Sequence, residues 1–268
     1  MRRYISKAGQ SVLLSALLLA VGLECIAVAQ NRPSSNAAAA QAEQQYLISE
    51  VHVQLGALRA WENLVKTEML PALNTVGVSQ SVWRTATLGE GGEFWIARPI
   101  KDVADLDEPN ALVRALGQKA AEALMAKAMQ FTLSSRTFIV TTRPELSIAP
   151  ASGYVPRLAG MTRTSVTPGR TAEYEKRIKE QLAVINKTNV KGVLVSRVGG
   201  GGDPNQYNTL MLFDSFADVN QLGPAWRKAA GDANPAPQPA GVVAHVERIM
   251  LRYVPELSIQ ASAQKTAK

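Results

Sequence analysis

Cysteine and histidine are scarce in this sequence of 268 residues. The single cysteine, Cys25, has no partner for an intramolecular disulfide, so we expect stability to come from an ordinary buried core. The two histidines, His52 and His245, stand far apart, and the sequence shows no compact cluster of metal-ligating residues. Because a structural zinc site needs several closely spaced cysteine or histidine ligands, we predict no metal site.

No hydrophobic run is long enough to cross a membrane. The longest, at 12–21, is shorter than the roughly 20 apolar residues that a membrane-spanning helix needs. Arg2 and Arg3 precede it, and the small-x-small sequence at 27–29 follows it. This pattern predicts a signal peptide at 1–29 and export to the periplasm or the medium, with no stable membrane insertion after cleavage. The paired arginines leave both the general secretory and the twin-arginine route open.

The charge pattern excludes one class of partner. The formal net charge is +7, and lysine and arginine are spread along the chain rather than gathered in one stripe. A nucleic-acid-binding protein normally carries a clustered basic surface. We therefore expect no nucleic-acid partner.

Composition also divides the rest of the chain. Residues 30–45 are polar and alanine-rich without hydrophobic periodicity, which predicts a flexible leader, and 261–268 is predicted to be a disordered tail. The segment between them is long enough for two small domains. We place these at 46–150 and 151–260.

A repeated pentapeptide indicates how the two domains are related. Pro-Glu-Leu-Ser-Ile begins at Pro144 and again at Pro255, 111 residues later. Solenoid and propeller repeats recur every 20 to 50 residues or so, so this longer interval indicates a duplicated small domain. Further matches occur at an offset of 113 residues: Trp61 with Tyr174, Glu62 with Glu175, Arg84 with Arg197, and Gly89 with Gly202. The copying therefore extends beyond the pentapeptide.

Each half shows the same order of predicted elements. In the first half a strand at 47–53 precedes an amphipathic helix at about 58–73, a hairpin at 78–98, a second helical region and a closing strand. The second half repeats this order, with Ser215 as the predicted N-cap of its second helix. Strand, helix, strand, strand, helix, strand is the ferredoxin-like (βαββαβ) order, so the predicted fold class is α+β.

A single ferredoxin-like sheet leaves one apolar face that must be covered. Two copies can cover each other, and in this respect the sequence resembles the dimeric alpha-beta barrel superfamily, in which two such units associate through their sheets. The resemblance rests on element order, helix stripes and the repeat, and it covers about residues 46 to 259. It implies two tandem ferredoxin-like modules that pack sheet to sheet as a fused, pseudo-dimeric alpha-beta barrel. It includes no catalytic motif.

The same resemblance bears on the two histidines, because the superfamily includes cofactor-independent oxygenases and haem enzymes. His52 and His245 are candidates for catalysis or haem ligation, with ordinary strand positions as the alternative. Neither is repeated in the other half, since His52 aligns with Ser165 and His245 with Ser134. We expect no cofactor, with haem as the alternative.

Four other side chains are candidates for ligand binding. Arg84 and Arg197 match across the repeat near the ends of corresponding strands, and paired arginines suit a carboxylate or another anion. Solvated arginines at strand ends are the alternative. Trp83 and Trp95 lie on the two arms of one hairpin and are candidates for an apolar pocket.

These patterns leave three functional hypotheses. The first is an exported protein that binds a small apolar or anionic molecule. The second is a cofactor-independent monooxygenase or an isomerase of the same superfamily, and the third is a haem-binding protein. No Ser-His-Asp set is recognisable, so the sequence does not decide whether the protein is an enzyme, and it leaves the oligomeric state open.

Overall fold

The computed structural model describes residues 42–231 and 239–260. The predicted signal peptide (1–29), most of the predicted leader (30–45) and the predicted tail (261–268) lie outside these residues. In the described part, no helix is both long enough and apolar enough to cross a membrane.

The first half follows the predicted order of elements. Its strands are β1 (Gln45–Val53), β2 (Ser81–Thr85), β3 (Glu93–Ile100) and β4 (Thr132–Thr142). Its helices are α1 (Leu58–Leu64), α2 (Leu70–Thr75), α3 (Ala111–Leu116) and α4 (Gln118–Met129). A π-helical turn at Val65–Met69 joins α1 to α2, so the predicted first helix is one continuous helical segment. Short 3-10 turns occupy Leu55–Ala57, Val103–Leu106 and Pro144–Leu146.

The second half has the same order. Its elements are β5 (Leu158–Val166), α5 (Thr171–Ile185), β6 (Gly192–Gly200), β7 (Gln206–Phe213), α6 (Phe216–Ala230), β8 (Val243–Tyr253) and a 3-10 turn at Pro255–Leu257. The predicted cap of α6 is confirmed. The Ser215 hydroxyl accepts the backbone N–H of Asp218 at 3.3 Å, and the Asp218 carboxylate accepts the backbone N–H of Ser215 at 3.0 Å, which is a capping box.

The strands form one closed antiparallel barrel in the order β1-β3-β2-β8-β5-β7-β6-β4. Each half contributes four adjacent strands, β4-β1-β3-β2 and β8-β5-β7-β6. The two sheets join edge to edge at two seams, where β2 pairs with β8 and β4 pairs with β6. The predicted α+β class is confirmed, and its form is an eight-stranded barrel without free sheet edges.

Alternation along the strands separates two layers of core. One face of every strand contributes to a single apolar cluster inside the barrel: Ile48, Trp83, Trp95, Phe138, Val140, Ala159, Met161, Val198, Leu212, Ile249 and Leu251. The other face packs against the helices. There the ring of Trp61 on α1 lies 4.4 Å from that of Phe94, and the ring of Tyr174 on α5 lies 5.1 Å from that of Tyr207.

The repeated pentapeptide closes each half against the other. Leu257, which follows β8, is fully buried in the helix-side core of the first half, and Leu146, which follows β4, is buried in that of the second half. The serine of each pentapeptide accepts a hydrogen bond from a backbone N–H of the other half. Ser258 accepts from Val82 and Ser147 accepts from Val195, both at 2.9 Å. The pentapeptide is therefore a structural clasp between the halves.

Candidate functional site

Charged side chains gather inside one end of the barrel. Glu50 and His52 continue the inner face of β1 beyond Ile48, and neighbouring strands place further charged groups beside them. We call this group the polar end of the barrel, and it consists of Glu50, His52, Glu93, Arg136, Arg163 and Glu247. It contrasts with the apolar cluster that fills the rest of the interior.

A chain of ion pairs runs across the polar end. The Glu50 Oε2 atom accepts from Arg136 at 2.9 Å and from Arg163 at 2.5 Å, and Arg163 also donates to Glu247 at 2.8 Å. The guanidinium of Arg163 lies 4.3 Å from the centre of the Trp95 ring, which adds a cation–π contact. The side chains of Glu50 and Arg163 are only 9% and 14% exposed, so their charges depend on each other rather than on water.

Corresponding positions of the two halves carry opposite charges in this chain of ion pairs. Glu50 and Arg163 occupy corresponding positions at the 113-residue offset, and Arg136 and Glu247 correspond at 111. Glu50 is the cross-strand neighbour of Arg136 on β4, just as Arg163 is that of Glu247 on β8. Two identical halves would bring like charges together where Glu50 meets Arg163. The opposite charges at these corresponding positions therefore stabilise the pairing of the halves.

Glu93 is a buried carboxyl group beside this chain. One of its oxygens accepts the hydroxyl of Thr85 and the other accepts the indole N–H of Trp95, each at 2.8 Å. Burial raises the pKa of Glu93 above its usual value, the two hydrogen bonds offset part of that rise, and the nearby charge of Glu50 adds to it.

His52 links the polar end to the hairpin loop. Its Nε2 atom lies 3.5 Å from Oε1 of Glu50, and its Nδ1 atom lies 3.4 Å from Oε2 of Glu90. Glu93 is its cross-strand neighbour on β3, and one ligand atom each from Glu50, His52 and Glu93 lie within 4.8 Å of one another. The structure thus holds a compact cluster that the sequence did not reveal, because β1 and β3 are distant along the chain but adjacent in the sheet.

A cleft opens on the outer side of the barrel where the β2–β3 hairpin splays apart. We call it the first cleft; it has a volume of about 340 Å³, and its lining includes Leu55, Leu58, Arg84, Glu93, Phe94 and Arg252. Arg84 and Arg252 are direct cross-strand neighbours at the β2–β8 seam, and both are exposed. Arg84 contacts Glu62 at 3.3 Å, whereas among the described residues Arg252 has no carboxylate partner. Like charges placed directly opposite each other on paired strands destabilise a sheet, so this pair favours a bound anion.

A second cleft, of about 370 Å³, lies at the other seam and includes Thr141, Arg143 and Arg197 in its lining. Here the cross-strand neighbour of Arg197 is Thr141, so no arginine pair forms across the seam. The Nε atom of Arg197 donates to the carbonyl of Pro204 at 2.7 Å, and Arg143 donates to Glu175 at 2.7 Å. Both arginines of this cleft are therefore bonded to other groups of the protein.

The predicted ligand-binding residues do not form one site. Arg84 and Arg197 lie in different clefts. Trp83 and Trp95 are inside the barrel, on the opposite face of the sheet from Arg84, and their rings pack against Tyr253 at 5.2 Å and Phe138 at 6.2 Å. The tryptophans are thus core residues, although Trp95 also holds Glu93.

The predicted histidine roles have different outcomes in the structure. His52 belongs to the polar end, whereas His245 is exposed on β8 beside Ser165. Neither lines the two clefts, and both ring nitrogens of His52 face carboxylates. Haem ligation therefore stays a prediction from the resemblance alone.

Sequence reasoning missed Glu50, Glu93 and Arg252. For Glu50 the sequence does hold a signal. The offset that pairs Arg84 with Arg197 also pairs Glu50 with Arg163, two residues of opposite charge. No comparable signal identifies Glu93 or Arg252, because their importance depends on strand register across the sheet.

No protein-family model matches this chain, and no curated protein is similar to it in sequence. Solved structures share its fold. An anthrone oxidase-like protein superposes with a TM-score of 0.54 and 12% identity over 80% of this chain and 93% of its own. A candidate monooxygenase from Lactobacillus acidophilus NCFM has a TM-score of 0.52 and 7% identity, over 80% of this chain and 94% of its own. Another, from Fusobacterium nucleatum subsp. nucleatum ATCC 25586, has a TM-score of 0.50 and 13% identity, over 82% of this chain and 95% of its own. At these low identities the likeness shows the fold alone: the α+β barrel of this chain also occurs in those proteins.

Proposed function

We propose that this chain is an exported small-molecule-binding protein whose ligand is an amphipathic anion held in the first cleft. The observation that carries the proposal is the juxtaposition of Arg84 and Arg252 as cross-strand neighbours beside an apolar wall. Two guanidinium groups suit a carboxylate, and Leu55 and Leu58 suit an apolar tail. The exposed fraction of Leu55, 67%, is large for a leucine and fits a surface that a ligand covers.

The size of the cleft limits the ligand. Small-molecule sites usually enclose roughly 300–1,000 Å³, and the first cleft lies near the lower end of that range. A monocarboxylate with a medium aliphatic chain or two fused aromatic rings matches this volume. Export is part of the proposal because of the signal-like pattern at 1–29.

The proposal includes a tandem duplication that fused an ancestral dimer into one chain. Its support is the identical element order of the halves, the two equivalent seams and the clasp that each pentapeptide makes with the other half. Divergence between the copies explains why the first cleft has an arginine pair and the second has Arg197 opposite Thr141.

Isothermal titration calorimetry of the full-length chain tests the binding function. Decanoate and 1-naphthoate are the probes, and decanol is the uncharged analogue. We expect the anions to bind, decanol to bind more weakly, and Arg84→Gln or Arg252→Gln to weaken anion binding about tenfold or more, since each removes a charge-assisted hydrogen-bond donor. Arg197→Gln is the matched control and should leave the affinity unchanged. Absence of binding by both anions, or an equal loss in the control, contradicts the proposal.

An enzyme is the second candidate, favoured by one observation. Glu93 contributes to the lining of the first cleft through β3, and its carboxyl group lies behind the cleft, on the inner face of the barrel, where it accepts from Thr85 and Trp95. Such a placement suits a cofactor-independent monooxygenase or an isomerase acting on the bound anion. Oxygen uptake with hydroxynaphthoates, and isomerisation of unsaturated carboxylates, are the assays. Glu93→Gln should abolish turnover and Glu145→Gln, far from this cleft, should not; an active Glu93→Gln variant removes this candidate.

A further inference from the structure

We propose that Glu50, His52 and Glu93 bind a divalent transition-metal ion at the polar end of the barrel. The inference concerns the interior of the barrel and does not depend on the anion proposed for the first cleft. It starts from the geometry of the three side chains, which come from adjacent strands and offer one nitrogen and two oxygen ligands within 4.8 Å of one another.

Burial makes this cluster different from an ordinary acidic surface. Glu50 and Glu93 are 7% and 4% exposed, and their carboxylates are therefore poorly solvated. A metal ion with ligands at about 2.0–2.2 Å spans up to about 4.4 Å between opposite ligand atoms. The three ligand atoms lie within 4.8 Å of one another, and Nε2 of His52 is 3.5 Å from Oε1 of Glu50, so small side-chain rotations would bring all three to one ion.

The balance of charge at the polar end also calls for a cation. The acidic side chains here are Glu50, Glu90 and Glu93, which cluster around His52, and Glu247, which pairs with Arg163; the basic ones are Arg136 and Arg163. When all four carboxyl groups are ionised, they exceed the two guanidinium groups by two negative charges. One divalent cation would neutralise the group, which favours metal binding over a further anion or a monovalent ion.

The surrounding contacts orient the three ligands as outer partners orient the ligands of metal sites. Thr85 and Trp95 each donate one hydrogen bond to Glu93 and fix its carboxylate. Both arginines bind Oε2 of Glu50, which leaves Oε1 on the side of His52. Glu90 faces Nδ1 of His52, so the Nε2 atom is the one available to a metal.

The donor set indicates the class of metal. An imidazole nitrogen with two carboxylates suits Zn²⁺, Mn²⁺ or Co²⁺, whereas Mg²⁺ and Ca²⁺ favour oxygen ligands alone. We therefore expect Zn²⁺ and Co²⁺ to bind, and Mg²⁺ and Ca²⁺ to bind much more weakly.

Cobalt titration of the untagged full-length chain, freed of metal by chelation, tests the site. We expect visible d–d absorption at one equivalent of Co²⁺ and displacement by Zn²⁺. His52→Gln and Glu93→Gln should weaken Co²⁺ binding at least tenfold. His245→Gln, which removes the other histidine, is the matched control and should leave the Co²⁺ affinity unchanged. If Co²⁺ fails to bind, or if His245→Gln loses as much affinity as His52→Gln, the proposal is overturned.

Two measurements cover the case in which a buried substitution disturbs folding. Glu90 is 79% exposed in its side chain, so Glu90→Gln should fold normally and still weaken Co²⁺ binding about tenfold through the orientation of His52. In the unaltered protein, Zn²⁺ should protect His52 but not His245 from carbethoxylation by diethylpyrocarbonate. Unchanged affinity in Glu90→Gln together with equal modification of both histidines contradicts the site.

Discussion

Replacing Arg163 by methionine tests how much the polar end contributes to stability. Methionine keeps much of the length and volume of the side chain but removes the guanidinium. The change deletes the ion pairs with Glu50 and Glu247 and the contact with the Trp95 ring. Glu50 then keeps Arg136 as its one arginine partner among the described residues, and the side chain of Arg136 is 48% exposed.

The expected magnitude follows from burial. Removing one partner of a buried ion pair typically costs about 3–5 kcal/mol, because the other charge stays buried without compensation. The exposed pair of Arg84 and Glu62 is the comparison, since an exposed ion pair contributes only about 0–1 kcal/mol. For a folded unit of this size, each kcal/mol lowers Tm by about 2–4 °C, so Arg163→Met should lower Tm by roughly 6–20 °C.

Urea titrations in the presence of chelator measure these free energies without interference from metal binding. The double variant Glu50→Gln with Arg163→Met should lose less than the sum of the single losses, by about 1–3 kcal/mol, because removing both charges leaves neither one unpaired. The reasoning is refuted if Arg163→Met costs no more than Arg84→Met, or if the two single losses simply add.

Three further predictions concern other parts of the fold. Gly201→Ala should cost about 2 kcal/mol or more in a urea titration, because Gly201 has a φ of 75° and a Cβ there would lie 2.7 Å from the carbonyl oxygen of Thr137; an unchanged midpoint would contradict the close approach. Ser215→Ala should cost about 1 kcal/mol in the same titration through loss of the α6 capping box, and Ser215→Asp should recover most of it. Burial, together with the hydrogen bond to Glu175, raises the pKa of Tyr207 to about 12. The protonated hydroxyl therefore contributes stability that is fully present below the unfolded pKa of about 10 and is lost as pH rises through about 12. Tyr207→Phe should flatten that loss between pH 9 and 12, and an unchanged pH profile would count against it.

Local patterns accounted for much of the fold. The stripe that includes Trp61, the hairpin glycines and the capping signal at Ser215 each depend on neighbours a few residues away, and each prediction made from them is confirmed in kind. Their limits are the element bounds: β1 begins at Gln45, inside the predicted leader, and the helical region before β4 breaks at Gly117. The boundaries of helices and strands depend on tertiary contacts as well as on sequence.

Local sequence patterns predicted only part of the candidate site. Glu175 lies on a charged stretch of α5, a pattern typical of solvated surface, yet it accepts hydrogen bonds from Arg143 and Tyr207. Burial and these bonds act on it in opposite directions, and the bonds prevail, so its pKa is below the usual value. Such a network joins residues from a helix, a strand and the segment after β4, which no local pattern connects.

The sequence by itself determined the α+β class, the order of elements and the correspondence between positions of the two halves, because these depend on periodicity and on residues that recur at a fixed offset. Tertiary structure alone decided which residues meet. Closure of the barrel placed Arg84 beside Arg252 and His52 beside Glu93, and it turned Trp83 and Trp95 into core residues. The physical reason is strand register: a side chain faces the barrel interior or its outer surface according to a period of two, and its neighbours come from strands distant along the chain.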